Sequence, residues 1–403
     1  APRGDFCGGL RASAVRSDDR IAAQIVKERE IECLPWAVRD LLHPRIGANE
    51  AGHEETRLGD RLFGLDALRG LAAVAVVVFH YSAFYQERLS GDPFPYMDFL
   101  WGELGVDLFF MVSGFVIFMT AERVKGGVEF VIARFVRLWP TLFVCCSTTA
   151  LILLFLPLPG IITDWQKYIT NLAFLNSFLT IGYIDGVYWS LQVEMQFYII
   201  ILFILMAGQI KRLTTIFSVF TLICLGYQMF YTLRGENNFL HFYFGIIGHA
   251  HVFLAGIVCF NFFQTKNKLT LIWIIPCSLM VFTSHWMRDY SNSMLTNYIG
   301  FLVCVCLVVL SISLPPRIFQ LKIFSTMAEI SYPLYLLHMN IGFTAMYYLN
   351  SSELKLSPSV TVFPVTVGVV LLSLLVAKFV DRPVQRPLRN LLTEIYRKKI
   401  RPL

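Results

Sequence analysis

Charge is what this sequence has least of. Only 15% of its 403 residues are Asp, Glu, Lys or Arg, against roughly 25% in a soluble domain. That is too little to cover a water-facing surface, while 56% of the residues are hydrophobic, gathered in long blocks, with mean hydropathy +0.59. These shortages exclude a nucleic-acid-binding protein, a disordered chain and a soluble enzyme, and leave an integral membrane protein. A disulfide framework is also lacking. Nine cysteines is an odd count, and Cys145, Cys146, Cys224, Cys259, Cys277, Cys304 and Cys306 lie inside apolar blocks, where a thiol behaves as a small hydrophobe. The first 60 residues hold no apolar run of signal-peptide length. The chain opens at Ala1 and its first methionine is Met97, which fits an incomplete or misassigned start.

What is present divides the chain in three. Residues 1–60 read as a polar, poorly ordered cytoplasmic leader with one short amphipathic stretch, Glu28 to Leu42. Residues 61–390 form the membrane domain, and 391–403 a basic cytoplasmic tail. A span needs about 20 apolar residues to cross a core of roughly 30 Å. Blocks of that kind fall near 64–84, 104–122, 136–157, 188–209, 213–232, 242–263, 268–285, 295–314, 328–349 and 359–380, so the expectation is an all-α polytopic protein of about ten transmembrane helices. The stretch 165–180 is too short and polar for an eleventh and suits an interfacial or re-entrant helix. Basic residues gather in alternate connections: Arg123, Lys125, Arg134 and Arg137; Lys211 and Arg212; Lys266 and Lys268; Arg317 and Lys322; then the tail from Arg382 to Arg401. The intervening loops hold one basic residue each, so the positive-inside rule puts both termini in the cytoplasm.

Charged groups inside a span cost several kcal/mol and are functional candidates by default (roughly 2.5–3.5 kcal/mol by insertion scales). In LDALRGLAAVAVVVFHYSAFY, Asp66, Arg69 and His80 are the polar members. Arg69 and His80 are eleven residues apart, which returns to nearly the same helix face, about 16 Å along the axis. One stripe then carries a cation at its inner end and an imidazole toward the outside. The plainer alternative is Arg69 snorkelling to the interface and His80 satisfied by a neighbouring helix. Asp107 and the Ser113-Gly114 pair mark the second span, where small residues indicate close helix packing more than a nucleophilic serine. Arg134 and Arg137 share one face at the cytoplasmic boundary; they suit either positive-inside anchoring or a phosphate clamp, since guanidinium forks bind phosphate bidentately. Glu194, about a turn and a half inside the fourth span, needs a cationic or hydrogen-bonding partner. In EISYPLYLLHMN, Tyr332, Tyr335 and His338 recur on one side, and Pro333 frees a carbonyl. His241, His249 and His251 cluster in sequence, but the last two point to different helix faces, so no metal site is expected.

Taken together, LDALRGLAAVAVVVFHY, GVDLFFMVSGFVI, ARFVRLWP, YWSLQVEMQFY, HVFLAGIVCF, ISYPLYLLH and DRPVQRPLR, in this order over residues 62–390, resemble the acyltransferase family 3 membrane proteins. The resemblance implies transfer of an acyl group, mostly acetyl, from cytoplasmic acyl-CoA to a hydroxyl of an extracytoplasmic or lipid-linked carbohydrate, in a bacterial inner membrane. No bound cofactor is implied; acyl-CoA is the donor substrate, and the partners are the glycan acceptor and membrane lipid, with no nucleic acid. The family's Arg-x10-His motif falls on Arg69 and His80, and its Arg-x2-Arg motif on Arg134 and Arg137. Its Glu-x-Pro matches Asp381-Arg382-Pro383, where the acid is the shorter Asp. Many members carry a fused extracytoplasmic hydrolase-like domain; these 403 residues hold none, so the acceptor is expected to be read by the membrane domain or a partner.

Geometry and resemblance converge on one mechanism. The expectation is that Arg134, Arg137 and Arg69 bind the phosphates of the CoA donor the resemblance implies, and that His80 acts as general base on the acceptor hydroxyl; an acyl-His intermediate is equally compatible with the sequence. Asp66 and Glu194 are candidates to orient the imidazole or an arginine, and Tyr335 and His338 to line the acceptor path. The competing expectations are a proton-coupled transporter of a small polar solute or glycan precursor, against which no internal repeat is found, and a structural assembly subunit.

Overall fold

In lipid every backbone N–H and C=O must be satisfied by the protein itself, which leaves helices or closed barrels; continuous apolar blocks of about 20 residues suit helices, since barrel strands alternate over about ten. The computed structural model of the protein describes residues 62–85, 99–234, 239–285, 294–351 and 357–400. The polar leader expected over residues 1–60 lies outside them. Among the described residues the fold is all-α, without a strand.

The helices, in chain order, are α1 Phe63–Phe79, α2 Leu104–Arg123, α3 Gly127–Phe155, α4 Trp165–Ala173, α5 Trp189–Met206, α6 Leu213–Arg234 and α7 Phe239–Tyr243. They continue with α8 Ile246–Thr265, α9 Ile274–His285, α10 Met294–Ser313, α11 Lys322–Ser351, α12 Pro358–Val376 and α13 Arg382–Ile400. Two five-residue π-helical turns interrupt the pattern: His80–Phe84 at the end of α1, and Ala377–Asp381 between α12 and α13. Among the described residues, eight helical stretches are long and apolar enough to cross a membrane, and Lys268–Val281 is a shorter apolar one. The stretch expected as the ninth span lies in the thirty-residue α11, which carries Ser331, His338 and Asn340 among its buried residues.

Several helices outrun the hydropathy pattern. The third expected span begins at residue 136, but α3 starts at Gly127 and takes in Arg134 and Arg137; the helix Arg382–Ile400 likewise runs through residue 390. Backbone hydrogen bonding does not depend on side-chain polarity, so a helix continues into its charged turns after the apolar run has ended. Within the stretch 165–180, residues Trp165–Ala173 form a short helix, α4. Asp164 caps it by accepting the Lys167 N–H at 2.7 Å, and Phe174 ends it in the left-handed region at φ 55°.

The core is built around α8, whose residues Gly248 to Phe260 are all buried. It crosses α2 at two glycines. A Cβ on Gly256 would overlap the Met111 carbonyl oxygen, and one on Gly114 the Phe253 carbonyl oxygen, so only glycine allows the backbones to approach this closely. This is the close packing read from Ser113-Gly114. Phe253 stacks on Phe110 and Phe197 beside the crossing, with centroids 4.8 and 4.2 Å apart. On the other flank α1 packs along α11, where Tyr81 donates to the His338 carbonyl at 2.6 Å. Exposed Leu154, Phe203, Ile223, Leu307, Phe363 and Leu371 give the outer helices an apolar surface suited to lipid chains.

Candidate active site

The stripe on α1 ends in two different cavities. Arg69 lines one of about 530 Å³; His80, eleven residues on, lines another of about 560 Å³. Val106 and Tyr335 belong to both linings, so the cavities meet at these two side chains. The Tyr335 hydroxyl is fixed there, 2.7 Å from Ser190 Oγ and 3.1 Å from the Val187 carbonyl.

The first cavity is strongly basic. Arg69, Arg123, Arg134, Arg137, Arg386 and Arg389 line it against Glu129 and Glu194. Arg134 donates through Nη2 to Thr120 Oγ1 at 3.1 Å and lies over the Phe130 and Tyr198 rings. Its Nε is buried with no acceptor among the described residues. Arg137 pairs with Asp381 at 3.5 Å, and that carboxylate also accepts from Thr141 Oγ1 at 2.8 Å and Gln385 Nε2 at 2.7 Å. Asp381 ends the second π-helical turn, so the insertion that swells the helix there also sets the acid beside Arg137. The partner Glu194 requires is now visible: its Oε1 accepts from Ser113 Oγ at 2.6 Å and Tyr198 OH at 2.8 Å. Arg69 is within electrostatic reach of Asp66, Glu194 and Arg137. Guanidinium forks lining a concave space have the chemistry to take a phosphate bidentately.

The second cavity is different in kind. Its lining includes His80, Glu103, Asp107, Ser177, Tyr183, Trp189, Gln192, Gln196, His241 and His249, and neither Lys nor Arg among the described residues. Amides, hydroxyls and one large aromatic face are the groups that hold a polyhydroxylated ligand. Gln192 accepts from Tyr183 OH at 2.8 Å, while Gln196 bridges the Tyr243 carbonyl and the Ile246 N–H, so both amides are held in place. His249 packs against Trp189 and Phe110, whereas His251 faces Phe301 on the opposite side, as their two-residue spacing requires. Among the described residues no group of three or more His, Cys, Asp or Glu could hold a metal ion.

Behind His80 stands His338, fully buried and part of neither lining. Its Nδ1 lies 2.8 Å from the Tyr335 carbonyl and 3.1 Å from that of Leu334. Carbonyls only accept, so Nδ1 carries the proton and Nε2 the lone pair. That Nε2 is 3.1 Å from His80 Nδ1, which is also 2.9 Å from the Val76 carbonyl. His80 Nδ1 is therefore a donor shared by two acceptors, leaving Nε2 as the lone-pair nitrogen of the neutral ring. Asp185, just ahead of α5, braces the same region: it accepts the Asn340 N–H at 2.9 Å and the Val187 N–H at 3.3 Å. Burial pushes its carboxyl up to about 7, opposed by those two N–H donors.

Of the residues singled out in the sequence, the structure brings Arg69, Ser113, Arg134, Arg137, Glu194, Tyr332 and Tyr335 to one cavity and His80, Asp107, His241, His249 and Tyr335 to the other. Asp381 attaches through Arg137, Asp66 lies a turn before Arg69, and His338 backs His80. Sequence reasoning passed over Thr120, Asp185, Ser190 and Tyr198, and read Arg386 and Arg389 only as tail charge. Ser190 and Tyr198 had a signal, since they lie in the same block as Glu194; Thr120 had none.

Comparison with known proteins places this arrangement. A protein of Staphylococcus aureus strain COL whose name designates it an O-acetyltransferase is 24% identical over 331 residues, covering 71% of this chain and 52% of the relative. The O-acetyltransferase OatA of S. aureus strain NCTC 8325 is 28% identical over 219 residues, 48% of this chain and 34% of that protein. The chain thus spans about half the length, or less, of these curated relatives. No solved structure matches. The model of the acyltransferase family 3, described as an acyltransferase domain, matches residues 62–378, which is most of the sequence, and the chain belongs to that family.

Proposed function

We propose that the protein is a membrane O-acyltransferase. It moves an acyl group, acetyl in the first instance, from cytoplasmic acyl-CoA to a hydroxyl of an extracytoplasmic or lipid-linked carbohydrate. It sits in a bacterial inner membrane with ten crossings and both ends in the cytoplasm. The observation that carries this reading is the pair of cavities, one basic and one rich in amides and hydroxyls, which meet at Tyr335 and Val106.

In this account the donor's phosphates rest on Arg134, Arg137 and Arg69, and its thioester arm reaches between Tyr335 and Val106 toward His80. The acceptor hydroxyl gives its proton to His80 Nε2 as its oxygen bonds to the thioester carbonyl carbon. The C–S bond then breaks, and the leaving sulfur takes the proton back from His80 as a free thiol. His80 starts and ends neutral, and no charge is left in the apolar interior. Glu194 balances the basic cavity near Arg69, and Asp381 holds Arg137 on its edge.

The test is transfer of radiolabel from acetyl-CoA into carbohydrate in membranes carrying wild type, His80→Ala or Arg69→Ala at equal protein levels. Label with wild type and its loss in both variants is the expected result. Full labelling by His80→Ala removes His80 as the base. No labelling by wild type across a panel of acyl-CoAs and envelope glycans rejects the reading.

A further inference from the structure

The acyltransferase reading, on which this inference rests, gives His80 a task that depends on which of its nitrogens holds the lone pair. A histidine in water exchanges between its two tautomers, and only the one with the lone pair on Nε2 serves the acceptor here. Something must select it.

The structure supplies the selecting group. His80 Nδ1 is bracketed by the Val76 carbonyl at 2.9 Å and His338 Nε2 at 3.1 Å. His338 is itself held in one tautomer by the carbonyls of Tyr335 and Leu334. The backbone on either side of it is clamped from outside α11. Tyr81 donates to the His338 carbonyl at 2.6 Å, Tyr188 to the Leu336 carbonyl at 3.2 Å, and Asp185 takes the Asn340 N–H at 2.9 Å. The Asn340 side chain adds a bond to the Ile184 carbonyl at 2.8 Å. Four bonds converging on one turn of helix are more than packing requires of a lipid-spanning segment, and all of them fix the ring that faces His80.

We infer that His338 is a positioning residue for the transfer: a neutral, fully buried acceptor that fixes the tautomer and orientation of His80 without touching either substrate. The arrangement is a chain of two imidazoles ending on backbone carbonyls. In hydrolase triads a carboxylate orients the histidine; here an imidazole takes that place. When His80 accepts the hydroxyl proton at Nε2, its Nδ1–H keeps the same two acceptors, so the imidazolium is held without reorganisation. A neutral partner also avoids burying a second permanent charge beside it. No atom is transferred to or from His338 in the step.

The experiment uses the full chain in lipid nanodiscs, with histidine labelled by ¹⁵N and His80 assigned by difference from His80→Ala. The variants are His338→Leu, which keeps the volume and removes the acceptor, and His338→Gln, whose amide oxygen restores one. In wild type the His80 resonances should be those of a protonated Nδ1 and an unprotonated Nε2. His338→Leu should show a mixture of tautomers, with kcat lower by about 10- to 100-fold, the size of effect seen when a group that orients a ligating histidine is lost, and KM for acetyl-CoA unchanged. His338→Gln should recover most of the rate and the single tautomer. A wild-type His80 protonated on Nε2, or a His338→Leu protein with the wild-type tautomer and kcat, overturns the inference. The tautomer readout needs no turnover, so a protein that transfers no acyl group rejects the acyltransferase reading while the selection of His80 by His338 is still decided.

Discussion

Substituting alanine for Gly256 puts one methyl group where α8 crosses α2. The new Cβ would overlap the Met111 carbonyl oxygen and lie 2.9 Å from both the Met111 carbonyl carbon and the Phe115 nitrogen. Those atoms are backbone, so no side chain can swing aside, and the two helices must part by more than about an ångström before the overlapping carbonyl oxygen reaches ordinary contact near 3.4 Å. Overpacking of this kind costs about 1–3 kcal/mol. For a domain of this size that is on the order of 1–4 °C in apparent melting temperature. The displacement also reaches both cavities, because α2 carries Val106, Ser113 and Thr120, while α8 carries Gly248 and His249. Thermal unfolding in detergent, followed by intrinsic fluorescence, measures the loss. Gly226→Ala is the internal control: nothing lies within 4 Å of a Cβ there, and alanine in an open helical site should be neutral or stabilising by about 0.5–1 kcal/mol. A Gly256→Ala protein as stable as Gly226→Ala refutes the crossing, and with it the placement of the two cavities.

Other predictions concern the site itself. Arg386 and Arg389 bring α13 into the basic cavity, so replacing both with Gln should raise KM for acetyl-CoA by about tenfold, equivalent to about 1.4 kcal/mol, and leave KM for acetyl-pantetheine unchanged; equal changes for both donors would show that neither residue reads phosphate. Asp185 supplies a pH signature. Its folded carboxyl, raised from 3.8 to about 7, keeps its proton between about pH 4 and 7 where the unfolded chain has lost it, so its contribution falls as pH rises through that window and is level above it. Asp185→Asn should flatten the stability–pH curve of the detergent-solubilised protein between pH 5 and 7 while lowering stability overall, since an amide can accept only one of the two N–H bonds. An unchanged slope contradicts the burial argument.

The parts of this structure that repeat with helical period were readable in advance. An eleven-residue step from Arg69 to His80 puts them on one stripe, and the structure opens a cavity at each end of it. The i,i+4 step from Glu194 to Tyr198 gave a bond that the spacing alone allows. What was hidden is what joins distant helices. His80 and His338 are 258 residues apart and Arg137 and Asp381 are on α3 and the turn after α12; no period links such pairs, and only the family resemblance pointed at Asp381. Apolar blocks located the helices, but their ends were missed where charged turns continue them, as at Gly127. The sequence placed His338 on the acceptor path, whereas its ring faces the back of His80 and contributes to neither lining.

The central claim is that a donor bound in the basic cavity acylates an acceptor reached from the other one. Reconstitution into sealed proteoliposomes tests it most directly, with labelled acetyl-CoA admitted to one face only, acceptor glycan confined to the opposite face, and the orientation of the protein fixed by protease protection of the tail. Acylated glycan is expected only when acetyl-CoA is on the face bearing α13 and its arginines, with no acetyl-CoA crossing the bilayer. Acylation that requires donor and acceptor on the same face would contradict it.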